Sequence, residues 1–294
     1  MRAVMILPAA GFLLFSCAPP QSVQEKPADL NPTAAKSTDS EALARNFPLL
    51  PLIEPVLWKE LQEAEAKLAT AFPSERVAAD QAVTMLSEKL RNRHPFKAEG
   101  SRLELGGIIC DKKDGRLSLP AKVHFPDPGD ERHPGEVELF LCAETGRTHE
   151  TLFITQSRPL HLELLLHLCG HAKGEEGARF RIDVLTGDGI RIPVHSLLRA
   201  KGEEKLPDPL SWEFSGSDYK GVYSPDLSGD LAIFWHAHDS VLRVAHEGIA
   251  SGEVKLEAVP HHSLKNGDHV VLEFIRMGVT ESAPMDRSDA NERR

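Results

Sequence analysis

Cysteine is scarce in this sequence, and its spacing excludes an iron–sulfur cluster. Only 4 Cys occur among 294 residues, and none form the closely spaced C-x2-C pairs that such clusters favour. With Cys17 set aside, Cys110, Cys142 and Cys169 remain, and an odd number of thiols cannot all be bridged in one chain. The sequence allows one disulfide with a spare thiol, as in an oxidising compartment, or three buried unpaired thiols.

The sequence also lacks runs of basic residues. The formal net charge is −10, and no basic run is longer than Lys112-Lys113. Binding to nucleic acid needs a basic face to neutralise phosphates. The composition therefore predicts no nucleic-acid partner.

A long apolar run is missing at the start of the chain. The apolar stretch after Arg2 ends at Cys17, short of the ~20 residues that a membrane-spanning helix needs. Its end, Leu14-Phe15-Ser16-Cys17, resembles the lipobox of bacterial lipoproteins. We expect residues 1–16 to be a signal peptide and Cys17 to carry lipid. A plain secretory signal or a short buried segment are the alternatives.

The residue after the cysteine is Ala18, which favours the outer membrane in lipoprotein sorting. The expected location is the cell envelope, lipid-anchored, at the outer membrane or its periplasmic face. Residues 17–46 are rich in Pro, Ala, Ser and charge, so we predict a disordered tether carrying the lipidated cysteine. The polar residues 277–294 are predicted to be a disordered tail.

Two kinds of pattern follow the tether. Apolar residues at helical spacing in 47–95, interrupted at Pro73-Ser74, predict a helical hairpin. From residue 100, short alternating segments separated by turns predict strands, including 137–142 and 148–155 around a turn at 144–147, and a last strand at 270–275. Between them, a helix from Pro159 to Leu168 is apolar on nearly all sides, which is typical of a buried helix. The predicted fold class is α+β, a β-rich domain of antiparallel hairpins around one buried Leu-rich helix, preceded by a helical hairpin.

Several short motifs occur in a characteristic order. They are Gly146-Arg-Thr-His-Glu150, the Leu-rich helix, Trp212-Glu-Phe-Ser-Gly-Ser217, Tyr223-Ser-Pro-Asp226 with Gly229-Asp230, and Gly267-Asp-His-Val-Val271. Together they resemble the YdjY-like domain family of bacterial envelope proteins, over residues 100–276. The chain departs from that pattern in having Arg147 where Lys is usual. The resemblance implies an envelope protein, and its ferredoxin association finds no support in the cysteine pattern.

His149 and Glu150 are the most prominent polar pair. On a strand they point to opposite faces, and a buried Glu150 needs a partner or a raised pKa. Arg147 and Arg158 are the nearest candidates in sequence. Arg147, His149 and Glu150 are thus interpreted as a structural group, with ligand binding as the functional alternative and an acid–base couple as the least favoured one.

Histidine is abundant, with 14 residues. His167, His171, His236 and His238 are candidate ligands for zinc or another divalent metal. No spacing matches H-E-x-x-H, so ordinary surface or core-edge histidines are the favoured interpretation.

These patterns predict a lipid-anchored envelope protein that acts as a non-catalytic binding or interaction module without a cofactor. Its expected partners are the membrane, through the N-terminal lipid, and an envelope protein. The alternative function is a metal-dependent hydrolase that uses the histidine clusters.

Overall fold

The computed structural model describes residues 38–126, 135–174, 178–201, 206, 208–217, 222–235 and 239–278. These residues belong to one compact unit, Thr38–Arg294. The signal peptide, Cys17, most of the predicted tether and nearly all of the predicted tail lie outside the described residues. Within the described ranges, no helix combines the length and hydropathy needed to cross a membrane.

Seven α-helices and two 3-10 turns occur in the described ranges. The helices are α1 (Asp39–Asn46), α2 (Leu50–Ile53), α3 (Pro55–Thr70), α4 (Arg76–Arg93), α5 (Pro159–Leu168), α6 (Ser224–Ser228) and α7 (Glu247–Ala250). The 3-10 turns are Thr148–Glu150 and Val194–Leu197.

Fifteen strands occur in the same ranges. They are β1 (Phe96–Glu99), β2 (Arg102–Leu105), β3 (Ile108–Asp111), β4 (Arg116–Val123), β5 (Glu136–Val137), β6 (Leu139–Ala143), β7 (Thr151–Thr155), β8 (Arg179–Leu185), β9 (Arg191–Pro193), β10 (Leu198–Ala200), β11 (Trp212–Phe214), β12 (Asp230–Ile233), β13 (Leu242–Val244), β14 (Leu256–Ala258) and β15 (His269–Arg276).

Eight of the strands close into a mixed barrel. Their order is β4-β15-β8-β11-β13-β12-β6-β7, and β7 pairs back with β4. The β6–β7 and β12–β13 pairs are parallel, and the other six pairs are antiparallel. Strands β1–β3 extend the sheet beyond β4, β9 pairs with β8, and β10-β14-β5 form a separate small sheet.

The prediction of antiparallel hairpins around one buried Leu-rich helix is wrong. The segments around 144–147 form a parallel pair, with Leu139 opposite Thr151 and Leu141 opposite Phe153, instead of a hairpin. Strand β15 joins β4 to β8 across long stretches of sequence. Turn residues indicate only the local conformation of the chain. The strand pairs that close the barrel join residues far apart in sequence, so no short motif could predict them.

Aromatic side chains fill the barrel interior. Phe140 on β6 and Trp212 on β11 have ring centroids 4.9 Å apart, although β6 and β11 are separated by two strands. Their contact must therefore cross the interior. Phe153 and Phe234 pack against the same group, and all four rings are buried. Burying such large side chains is a major source of stability for a barrel of this size.

Helix α5 is buried from Pro159 to Leu166. It contacts β2, β3, β12 and α6, and its apolar residues Leu162, Leu165 and Leu166 are fully buried. The sequence pattern therefore identified a buried helix, but the surroundings predicted for it are wrong. Its neighbours are β2 and β3, which extend the sheet, the barrel strand β12 and helix α6.

Residues 39–46, predicted as the end of the tether, form helix α1 instead. Thr38 caps it by accepting a hydrogen bond from the backbone N–H of Glu41. Ser40 donates from its backbone N–H to Glu65 on α3, and Ser87 on α4 donates to Asp39. These contacts, together with buried Leu43, attach α1 to the helical pair.

Candidate functional site

An apolar cleft lies where the small sheet meets the end of the barrel. Its volume is about 270 Å³. It is lined by Glu136, Val137, Glu138, Phe234, Trp235, Ile249, Ser251, Gly252, Val254, Lys255 and Leu256. Pairing of β5 with β14 sets Val137 opposite Leu256. Trp235 is 42% exposed, and its indole lies next to Gly252. The walls are thus mainly apolar, with a large aromatic ring accessible to a ligand.

Charged side chains of both signs surround this cleft. Glu136 accepts hydrogen bonds from the ammonium groups of Lys201 and Lys255, the latter at 3.3 Å. The hydrogen bond from Lys201 is the largest cause that holds the pKa of Glu136 below its usual range. A carboxylate with a lowered pKa is a weak base, so Glu136 is suited to binding and orientation.

Arg147, His149 and Glu150 meet in an ionic cluster that reaches the cleft through Glu138. The Arg147 Nη1 atom donates to Glu150 Oε2 at 2.9 Å and to Glu138 Oε2 at 3.1 Å. Its Nη2 atom lies 3.8 Å from Asp230 Oδ2. The guanidinium group of Arg147 therefore contacts three carboxylates. Arg147 is the charged partner that the buried Glu150 carboxylate requires.

The strand expected at 148–155 begins later than predicted, and this changes the geometry of the pair. Residues Thr148–Glu150 form a 3-10 turn, and the strand starts at Thr151. His149 Nε2 lies 3.1 Å from Glu150 Oε1, so the two side chains meet instead of pointing to opposite faces. Glu150 is buried while the side chain of His149 is half exposed.

A close approach of two glycines positions this cluster. A Cβ on Gly229 would lie 2.7 Å from the Cα of Gly146, and Gly229 has φ +78°. Only glycine allows two backbones so near each other with this conformation. The contact brings Asp230, the next residue, to Arg147. Gly229-Asp230 occurs among the motifs above, but nothing in the sequence indicated that Asp230 or Glu138 contacts Arg147.

The described histidines among the predicted metal ligands have separate partners. His167 Nε2 is 3.7 Å from Glu163 Oε1, one helical turn away on α5. His171 Nε2 is 3.1 Å from the carbonyl oxygen of Gly115, and its ring packs edge-on against Phe180. Burial lowers the pKa of His171. His167 and His171 therefore contact different partners, Glu163 and the backbone of Gly115.

His236 and His238, the other two predicted ligands, lie outside the described residues. Across the part of the chain that the structure describes, no group of three or more His, Cys, Asp or Glu side chains is arranged to hold a metal ion. The site that the geometry presents is therefore the cleft with its ionic cluster.

Glu163 on α5 forms a second polar network that the sequence did not reveal. The Glu163 carboxylate accepts hydrogen bonds from the Tyr223 hydroxyl and from the backbone N–H of Ser217, the latter at 2.9 Å. Burial alone would raise the pKa of Glu163, but hydrogen bonds from His167, Tyr223 and Ser217 lower it overall. The leucines around Glu163 made α5 look entirely apolar in the sequence, so a polar role for this residue was not predicted. Glu163 attaches the Ser215–Ser217 turn to α5.

A buried chain of three side chains joins the helices to α5. His94 Nε2 is 2.9 Å from Glu54 Oε1, and His94 Nδ1 is 3.1 Å from His161 Nε2. Both histidines are buried. Burial, the largest cause, lowers the pKa of His94, and it lowers that of His161 to about 3. The separation of these residues in sequence explains why no motif suggested the chain.

Of the two arrangements that the sequence allowed for the three remaining cysteines, the structure has one disulfide and one free thiol. Cys110 on β3 is bridged to Cys169, directly after α5. Cys142 is a buried free thiol, and burial raises its pKa to about 12. A thiol with so high a pKa is unreactive, so Cys142 is a core residue.

Comparison with protein-family models, with curated proteins and with solved structures found no match to this chain.

Proposed function

We propose that this protein is a lipid-anchored, non-catalytic binding module of the bacterial cell envelope. The position of Cys17 at the end of the N-terminal apolar stretch supports the anchor. The Cys110–Cys169 bridge supports an oxidising compartment, because disulfides persist there and are rare in the cytosol. The motifs that resemble the YdjY-like family support the same location.

The observation that carries the binding role is the apolar cleft beside Trp235. Its volume of about 270 Å³ is near the lower end for small-molecule sites. Lys255 and Glu136 stand at its edge. The cleft therefore suits an apolar group, such as an aromatic ring or short acyl chain, that carries a charge at one end.

The charges next to the cleft favour binding over catalysis. Glu138 and Glu150 are paired with Arg147, and Glu136 is paired with two lysines. General bases need a pKa near the working pH, whereas the hydrogen bond from Lys201 holds the pKa of Glu136 below its usual range. These residues orient a ligand and rigidify the cleft.

Titration with 1-anilinonaphthalene-8-sulfonate, an apolar ring system with one negative charge, tests the cleft. We expect binding to the purified protein with energy transfer from Trp235. The variant Val254→Glu introduces a charge into the apolar wall, and we expect it to bind at least about tenfold more weakly. Equal binding by Val254→Glu and the parent protein would show that the probe binds elsewhere.

Two matched variants complete this experiment. Trp235→Phe should keep the binding and lose most of the energy transfer. Leu227→Ser changes a residue on α6 that is 73% exposed and does not line the cleft, and it should bind like the parent. Circular dichroism checks that each variant is folded.

The anchor is tested separately by cell fractionation. Cys17→Ser removes the thiol that would carry the lipid, so we expect the protein to move from the membrane to the soluble fraction. A Cys17→Ser protein that stays in the membrane fraction would refute lipid attachment at this residue.

A further inference from the structure

Two large apolar side chains are exposed at the tip of the α3–α4 pair. Phe72 is 71% exposed and Val77 is 68% exposed. Both belong to the tight connection between the helices, where the carbonyl oxygen of Phe72 accepts from the backbone N–H groups of Glu75 at 2.9 Å and Arg76 at 3.1 Å. The tip thus presents an aromatic and a branched aliphatic side chain to its surroundings.

The start of α1 contacts this helical pair along its middle part. Asp39 and Ser40 contact Ser87 and Glu65 through hydrogen bonds. Glu65 is seven residues before Phe72, and Ser87 is ten residues after Val77. At 1.5 Å per helical residue, the start of α1 lies roughly 10–15 Å from the tip along the helix axes.

The distance from the anchor to this point is limited. Residues 18–37 connect Cys17 to Thr38, and a chain of this length cannot span more than about 70 Å even when fully extended. A lipid on Cys17 would keep the tip near the bilayer, and a tether of this length gives a high effective concentration for weak contacts.

We propose that the tip formed by Phe72 and Val77 inserts into the lipid surface that holds Cys17. The inference rests on the proposed lipid anchor. Insertion of apolar side chains at the interface is driven by the apolar area that they bury. The segment 67–80 has two basic and two acidic residues, so the contact needs no anionic lipid and tolerates salt.

Quenching by brominated acyl chains tests the insertion. The lipidated protein is reconstituted in phosphatidylcholine vesicles with and without bromine on the acyl chains, and Phe72→Trp supplies the reporter. We expect bromine to reduce the emission added by Phe72→Trp by about twofold or more, since an inserted indole contacts the acyl region. The parent protein gives the background of Trp58, Trp212 and Trp235.

The matched control is Leu227→Trp, which places the reporter at another side chain that is more than two-thirds exposed. We expect no quenching there. Val77→Asp, combined with Phe72→Trp, should abolish the quenching of the reporter, and 0.5 M salt (about a 4 Å screening length) should leave it unchanged.

Flotation of the vesicles separates the two possible failures. If the lipidated parent does not float while folded, the anchor is wrong and the insertion is overturned with it. If it floats and Phe72→Trp is not quenched beyond the parent, the anchor stands and the insertion is overturned. Protection of the reporter from iodide without quenching by bromine would assign the tip to a protein partner or a second copy, and would likewise overturn insertion.

Discussion

Acid should weaken the fold through the buried Glu54–His94–His161 chain. With both rings neutral, His94 donates from Nε2–H to Glu54 and accepts at Nδ1 from His161 Nε2–H. A proton added to either ring would place a second charge in a buried space. The Nδ1 atom of His161 faces Gly106, where a Cβ would lie only 2.0 Å away, so little room remains for a water molecule to solvate that charge.

The size of the effect follows from the pKa of His161, which is about 3 in the folded protein and has an ordinary value of 6.5. Burial is the largest cause, the charges of His94 and Arg158 lower the pKa further, and the carbonyl of Arg93 raises it by less. Between these two pKa values the unfolded chain binds a proton that the folded protein does not, so the unfolding free energy falls as the pH falls. From pH 7 to pH 5 the loss from His161 is about 2 kcal/mol, and the lowered pKa of His94 adds to it.

Urea unfolding followed by tryptophan fluorescence at the two pH values measures this loss. His161→Leu removes the titrating ring, so its unfolding free energy should fall by about 2 kcal/mol less than that of the parent between pH 7 and pH 5. His262→Leu, at an exposed histidine, should keep the parental pH dependence. If His161→Leu and the parent lose the same free energy, the buried chain is not the acid-sensitive element and the reasoning fails.

Three further predictions concern stability. Cys110→Ser removes the disulfide to Cys169, which is 59 residues away in sequence, and should lower the unfolding free energy by about 4 kcal/mol. Adding reductant to the parent protein should shift the denaturation midpoint by the same amount. A parent protein insensitive to reductant would argue against the disulfide. Glu163→Gln leaves two buried donors with a weaker acceptor and should cost about 1–3 kcal/mol in urea unfolding; an unchanged midpoint would show that the network is dispensable. Gly229→Ala and Gly267→Ala both force alanine into a left-handed conformation, but only the first meets backbone atoms within 4 Å. Gly229→Ala should therefore lower the melting temperature clearly more, and equal losses would contradict the close approach.

The spacing of apolar residues predicted two individual secondary-structure elements accurately. The apolar helix predicted from Pro159 to Leu168 has the same bounds as α5, and the last strand, predicted at 270–275, is β15 at His269–Arg276. Both have strong periodicity over their full length, which is the signal that a single sequence carries best. The turn at residues 148–150 was missed because its residues also fit a strand, and tertiary contacts of Arg147 and Glu150 decided the local conformation.

The candidate site was only partly predictable. Arg147 was expected as a partner of Glu150 because it is near in sequence. The contact between His149 and Glu150 was not expected, and Asp230 joins the group through the Gly146–Gly229 contact. The cleft depends on residues from β5, β14 and the chain after β12. Such a site is assembled from distant segments, and spacing in the sequence cannot indicate it.

The sequence by itself determined the periodic segments, the absence of a cluster-type cysteine motif and the expectation of an N-terminal lipid anchor, because each of these is a property of consecutive residues. The tertiary structure decided how the strands close into a barrel, which cysteines are bridged, and where the buried carboxylates of Glu150 and Glu163 find their partners. These outcomes depend on contacts between residues far apart in the chain. The free energy of such contacts comes from burial and pairing in three dimensions, and a linear pattern carries neither.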